Sequence, residues 1–389
     1  MHLDVQQFWK DDEIAHRENC FFDEAPQIAL GMRMGEQCVF SELSEVGDPW
    51  ARLPAKQRLD LNKRYNDKAE IIVGKRLLWE NTSLEIERCM GKRLTNPSVN
   101  SEDERFPAIK RIGEVFGGTY HFRPGSGEWL HCNLKTTEEL ELLLDRVEQM
   151  EIRTFILPCG WDAEKKRIFE KYGKRPGLLR HIRGPITLAT SIFGIEPLVY
   201  LYYDAPELFV RFGKTIEHVI ISMAQVMDEE AGYMQGQAPG GFSFADDDCS
   251  LFTPEMYAIF GIEIIKNVYD TFCPNSGDER YLHADSDMGH LLPMLGAYQL
   301  TVCNLGPKLG VDEIRKHLPH TRIDGCLSPM TFMSNERNKI FDEVKRDCER
   351  AKTLGIRGLN IDTAGVINPT SKLSSMRVVM EAIQTYGRY

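Results

Sequence analysis

His283, Asp285 and Asp287 stand at alternate positions directly after the short apolar-rich run Tyr281-Leu282. An imidazole and two carboxylates so close together can ligate a metal ion or move protons. Strands normally end in Gly, Asn or Pro punctuation, so an ionisable cluster at a strand end is unusual. In parallel α/β architectures the carboxyl ends of strands are where ligands and chemistry collect. His283 is therefore taken as the centre of the expected site. A histidine that only hydrogen-bonds its neighbours is the alternative reading of this stretch.

A second acidic group, Asp246-Asp247-Asp248, precedes Cys249 and follows another apolar run, Gly241–Ala245. Three like charges in a row repel, so a cation is expected to balance them: a metal ion, an arginine or a helix N-terminus. A solvated turn ahead of Thr253 is the alternative. Other residues expected just past strand ends are Cys159, Trp161, Asn304, Cys326 and Asp362. Together these supply carboxylate, imidazole and thiol, the ligand types of zinc. A lone cysteine such as Cys326 is by default a small buried hydrophobe. Arg180 and Arg183, in Arg180-His181-Ile182-Arg183-Gly184-Pro185, could receive substrate carboxylates. The chain has no Gly-x-Gly-x-x-Gly, Walker or Gly-x-Ser-x-Gly sequence, which removes support for a nucleotide site or a nucleophile elbow.

Positioning these residues requires a repeated framework. Short apolar runs alternate with longer helical ones from about Phe116 onward, the rhythm of βα units. Strands are expected at Gly117–Phe122, Arg153–Pro158, Pro185–Ser191, Gly241–Ala245, Arg280–Ala284, Leu300–Leu305, Arg322–Leu327 and Gly358–Asp362. Helices are expected at Thr136–Met150, Ala205–Glu230, Thr253–Thr271, Asp287–Gly296, Val311–His317, Asn335–Thr353 and Leu373–Tyr386. The fold class is α/β, a (β/α)8 TIM barrel over residues 116–389, with a helical N-terminal extension over 1–115 that covers it. That extension carries an amphipathic stretch from Lys56 to Trp79 and breaks at Gly47-Asp48-Pro49 and Asn96-Pro97. Trp9, Trp50 and Trp79 read as packing residues. Thr253-Pro254-Glu255 and Asp204-Ala205-Pro206-Glu207 both open helices, with a capping side chain, an early proline and an acid near the positive end of the dipole. Gly261 is expected to interrupt the first of these and start a second helix near Glu263.

Composition bounds the function. The 389 residues, 42% hydrophobic and 27% charged, suit a folded chain, and the net charge of -11 argues against a nucleic-acid partner. Ten cysteines are scattered from Cys20 to Cys348 and include Cys89; without a CxxC pair they read as reduced thiols. There is no secretory signal and no run of eighteen apolar residues, so the expectation is a cytoplasmic protein without a membrane span.

Several stretches resemble the uroporphyrinogen decarboxylase superfamily, which includes zinc-dependent methyltransferases that work with corrinoid proteins. They are Gly184-Pro185-Ile186-Thr187-Leu188-Ala189, the Asp246–Asp248 run before Thr253-Pro254-Glu255-Met256-Tyr257, His283-x-Asp285, Asp324-Gly325-Cys326 and Ala364-Gly365 with the terminal Ala382–Tyr389. The resemblance runs from about residue 136 to the end and implies a (β/α)8 barrel. The arginine-rich Met-Arg-Gln-Ala-Gly-Arg-Tyr signature of the decarboxylases is absent; the nearest segment is Gly31-Met32-Arg33-Met34-Gly35. Methyltransferase members often bind zinc through His-x-Cys and a later Cys, where this chain has Asp285 and Cys326. Members that demethylate phenyl methyl ethers are similar to Asp248, Glu263 and His283 in spacing, although their form begins with Glu and has a final gap one residue longer. Glu263 reaches the mouth only if the helix breaks at Gly261, since nine residues of unbroken helix would carry it roughly 13 Å away.

The resemblance thus implies a zinc-dependent methyltransferase that moves a methyl group from a small O-methylated substrate to a corrinoid on a partner protein. Asp248, Glu263, His283 and Cys326 are the expected zinc ligands, and His283, Asp247 and Asp285 the catalytic residues. Arg180, Arg183, Trp161 and Asn304 are expected to bind substrate. The assembly state is open, a homodimer included. Two alternatives are a cofactor-free decarboxylase of a cyclic tetrapyrrole or similar polycarboxylate, and a non-catalytic barrel that binds a corrinoid or tetrapyrrole.

Overall fold

The structure, a computed structural model, describes residues 3–51, 53–80, 86–87, 93–94 and 105–389; the expected break at Asn96-Pro97 and Cys89 lie outside these. Among the described residues seven strands pair in parallel. They are β1 (Ala29–Leu30), β2 (His181–Arg183), β3 (Phe242–Ala245), β4 (Arg280–Ala284), β5 (Val302–Leu305), β6 (Arg322–Asp324) and β7 (Leu359–Ile361). The chain divides into two compact units. One holds Met1–Asn100, Pro124–Gly127 and Val302–Tyr389, the other Ser101–Arg123 and Glu128–Thr301.

In the first unit the strand order is β1-β7-β6-β5, with Leu30 opposite Ile361, Ile323 opposite Leu359 and Arg322 opposite Val302. Every residue of these four strands is buried. The helix Arg337–Thr353 buries Ile340, Val344, Cys348 and Ala351, a stripe at helical spacing that packs against Leu373–Tyr386. β1 lies inside the region expected to be only helical. Its two residues are too few to show a period of two, which is why the sequence did not reveal it.

In the second unit β3 lies between β2 and β4. Ile182, Phe244 and Leu282 are in register and buried on one face. The helix Pro206–Glu230 buries Phe209, Phe212, Ile216, Val219, Ile220 and Met223, an apolar stripe along most of its length.

The α/β class stands, but among the described residues the parallel strands number seven and close no barrel, and of the eight expected strands two are helices and one pairs elsewhere. Thr119–Arg123 is a strand, yet it pairs with Gly127–His131 in a separate hairpin whose first strand is largely exposed. The Gly- and Pro-containing loop between them is a hairpin turn, with Gly125 and Gly127 at positive φ. Arg153–Pro158 falls on the helix Ile152–Ile156, capped by the Glu151 carboxylate, which accepts the Thr154 N–H. Pro185–Ser191 falls on the helix Pro185–Phe193, with proline in its first turn. Short buried apolar runs have no distinguishing period, so helix and strand look alike. The true strand before this helix is β2, whose polar His181 and Arg183 disguise it. No single described helix is long and apolar enough to cross a membrane; one pair, Pro185–Phe193 with Ile195–Asp204, has the length and composition but is bent by 100°.

Candidate functional site

β3 and β4 run side by side with Ala245 opposite His283, so the acidic turn after β3 meets the end of β4. The Asp246 N–H donates to the His283 carbonyl at 2.9 Å, which fixes the turn. The three aspartates then diverge. Asp247 Oδ1 lies 3.3 Å from His283 Nε2 and accepts the Asp285 N–H at 3.1 Å. Asp246 Oδ1 accepts the Thr187 N–H at 2.8 Å. Asp248 hydrogen-bonds the Thr190 hydroxyl, and its own N–H donates to Thr187 Oγ1 at 3.0 Å. Asp247, His283 and Asp285 each offer one ligand atom, and the three atoms lie within 4.8 Å of one another. Two carboxylate oxygens and an imidazole nitrogen fit a zinc ion or a similar divalent metal. The His283 side chain is 16% exposed and that of Asp247 40%, so the group is reachable from solvent.

The helix Pro185–Phe193 braces this turn. Gly184, just before it, lies so close to Asp246 that a Cβ there would come within 2.2 Å of the aspartate Cβ. Burial pushes the Asp246 carboxyl up to about 7; the Thr187 hydrogen bonds oppose the rise and the neighbouring aspartates add to it. Asp285 is also raised, by desolvation first and by repulsion from Asp247 second, while His283 opposes. Cys249 is buried and its thiol is raised well above the usual value by that burial, so it stays protonated.

The other expected site residues are placed as follows. Glu263 does not return to the strand ends. The chain passes Gly261 in a π turn, Ala258–Ile262, with right-handed helical angles at Tyr257, Ile262 and Glu263, and continues as the helix Glu263–Phe272. The glycine is needed because a Cβ would come within 2.3 Å of the Tyr257 ring. Glu263 is exposed, and its charge adds to the rise that burial causes at Glu217, which locates it beside the long helix. Cys326 lies in the other unit, wholly buried, with burial raising its thiol well above the usual value.

Trp161 follows a helix rather than a strand; it is 4% exposed and its indole N–H donates to Glu230 at 2.6 Å. Arg180 precedes β2, at the end of the strand away from the acidic turn. It pairs with Asp228 at 2.8 Å and lies over the Phe272 ring. Asn304, in the first unit, spends its side chain on backbone. Its amide donates to the carbonyls of Asp324 and Thr363 at 2.6 and 3.0 Å and accepts the Gly365 N–H at 3.1 Å. Trp161, Arg180 and Asn304 are thus each engaged with other groups of the chain. Arg183 stands beside the acidic turn, on β2 with Ala245 and then His283 as register neighbours. The sequence reading missed His181 and Ser243, which pair at 2.9 Å on the same face, and the bracing Thr187 and Thr190. Recognising β2 would have found His181 by alternation.

No protein-family model matches the chain, and no curated protein matches it. Among solved structures, a methyltransferase from Methanosarcina mazei is similar to it with a TM-score of 0.53 and 13% identity, covering 99% of this chain and 99% of that chain. At that identity the likeness is one of fold, and it extends from end to end.

Proposed function

We propose that the chain is a zinc-dependent methyltransferase that takes a methyl group from a small O-methylated substrate and passes it to a corrinoid carried by another protein. The observation that carries this reading is the convergence of Asp247, His283 and Asp285 at the ends of two parallel strands. The name of the structural neighbour, a methyltransferase, supports the type of reaction.

His283 through Nε2, and Asp247 and Asp285 through carboxylate oxygens, would hold the metal. Zinc bound there would supply a Lewis acid for the ether oxygen of the substrate. The chain's own part is positional. Asp247 faces the imidazole, and its Oδ1 also accepts the Asp285 backbone N–H, which keeps the three residues together before a metal binds. Asp246 and Thr187 hold the turn from below, and Asp248 anchors it to Thr190. The set contains no sulfur, and two oxygens with one nitrogen suit zinc or a similar divalent metal.

The test combines metal analysis of the purified chain with transfer from methoxylated donors to a reduced corrinoid, followed by the cobalt absorbance change. The expected result is about one zinc per chain, with transfer abolished by a chelator and restored by zinc. Undiminished transfer by metal-free protein would overturn the reading.

A further inference from the structure

The register of β2, β3 and β4 stacks two rows of side chains on the face opposite the buried Ile182, Phe244 and Leu282. One row is His181, Ser243 and Tyr281; the next, nearer the carboxyl ends, is Arg183, Ala245 and His283. Side chains alternate along a strand, so both rows share one face. None of these six residues is fully buried. In the upper row Ala245 offers only a methyl group between the guanidinium and the imidazole. The backbones of Arg183 and His283 are two strand spacings apart, about 10 Å. The row thus leaves one small residue between a guanidinium-bearing and an imidazole-bearing position on one face.

Arg183 has a charge to offer. It is half-buried, and its Nη1 donates to Ser191 Oγ at 2.9 Å. Among the described residues no carboxylate lies within ion-pair distance of it, although three aspartates follow its register neighbour Ala245. Each of those is committed elsewhere: Asp246 to Thr187, Asp247 to His283 and Asp248 to Thr190. A guanidinium partly withdrawn from water without a counter-charge is unfavourable, and a bound anion relieves it. Its planar fork matches a carboxylate through two parallel hydrogen bonds. His181 and Ser243, joined at 2.9 Å, form the next row on the same face, toward the amino ends of the strands.

We infer that the methyl donor is a small carboxylic acid, its carboxylate received by Arg183 and its methyl-bearing oxygen directed to the Asp247, His283 and Asp285 group. The bond to be broken rests on the methyl-transfer reading above; the carboxylate seat does not. The acid binds over Ala245, and the uncharged amide of the same molecule binds more weakly because Arg183 gains no counter-ion from it.

Titration calorimetry on the full chain, zinc-loaded and metal-free, with methoxyacetate and 3-methoxybenzoate against their primary amides, tests this. The expected result is that each acid that binds exceeds its amide about ten-fold or more in both forms of the protein. Arg183→Gln erases the difference without changing zinc content, and Arg183→Lys keeps part of it. Ala245→Val, which leaves the charge in place, weakens acid binding by a similar factor. Equal binding of acids and amides, no binding of either acid, a preference that survives Arg183→Gln, or unchanged acid binding by Ala245→Val would each overturn the inference. A protein that binds acids selectively but holds no zinc would sink the methyltransferase reading alone, whereas zinc-dependent transfer from neutral ethers with no acid preference would sink the carboxylate seat alone.

Discussion

His283 Nε2 and Asp247 Oδ1 are 3.3 Å apart, a contact that joins the end of one strand to the turn after its neighbour. The same Asp247 oxygen holds the Asp285 backbone, whereas Asp248, next in sequence, is turned away to Thr190. Adjacent acids therefore have opposite consequences. His283→Ala and Asp247→Asn are each expected to lower zinc affinity about a hundred-fold or more, and Asp248→Asn to change it only a few-fold. Competition against a chromophoric chelator measures all three. Equal loss in Asp248→Asn would mean that the ligand set has been drawn around the wrong carboxylate.

Gly184 tests how far the brace controls the site. A methyl group added there meets the Asp246 Cβ at 2.2 Å and its Cγ at 2.3 Å, and Asp246 is wholly buried with nowhere to move. Gly184→Ala is expected to cost about 1–3 kcal/mol of stability, the usual range for overpacking. Because Asp246 is continuous with Asp247, zinc affinity falls as well. Urea unfolding of the metal-free chain and the chelator competition report the two effects separately; a variant with both unchanged would show that the contact relaxes freely.

Trp161 makes the opposite case, a residue that matters for stability and not for substrate. The Glu230 carboxylate is fully buried and receives the Trp161 indole N–H together with Arg153 and Lys165. Trp161→Phe removes one hydrogen bond to a charged group, and a loss of about 1.5–3 kcal/mol is expected. KM for any donor should stay as in the wild type. A raised KM with unchanged unfolding behaviour would return Trp161 to the site.

What the sequence disclosed was the strand that ends in His283. Arg280–Ala284 was read with its boundaries, because Tyr281 and Leu282 announce a strand and the ionisable residues after them are out of character for a strand end. Gly241–Ala245 is legible in the same way, one residue longer than the strand Phe242–Ala245, and with it the acidic turn. The strand next to them is hidden because β2 has a single apolar residue, Ile182, between two polar ones, His181 and Arg183. Choosing among the three aspartates was out of reach in principle. Which one faces His283 depends on a turn held by Thr187 and Thr190, about sixty residues away in sequence, and spacing alone cannot express that. Glu263 failed for a related reason: glycine announced an irregularity, but a π turn bends the helix path without reversing it.

Asp362 carries a pH dependence apart from the metal group. It follows β7, and its Oδ1 accepts the Thr363 N–H at 2.7 Å. Burial first, and the Asp324 carboxylate second, push its pKa up to about 7, while the Thr363 hydrogen bond, Arg33 and Arg322 oppose the rise. In an unfolded chain an aspartate titrates near 3.9. The folded form therefore holds the proton through the interval in which the unfolded form has released it, and stability falls as pH rises from about 4 to about 7. Above that interval the cost is constant; below it the two forms are protonated alike and no cost remains. Asp362→Asn keeps the oxygen that accepts from Thr363 and cannot ionise. Unfolding of metal-free wild type and variant across pH 4–8 is expected to show the variant more stable by on the order of a few kcal/mol at pH 8. The gap should close toward pH 4. A gap that stays constant with pH would place its origin in packing, and one that widens toward acid would mean that Arg33 and Arg322 outweigh burial at this carboxylate.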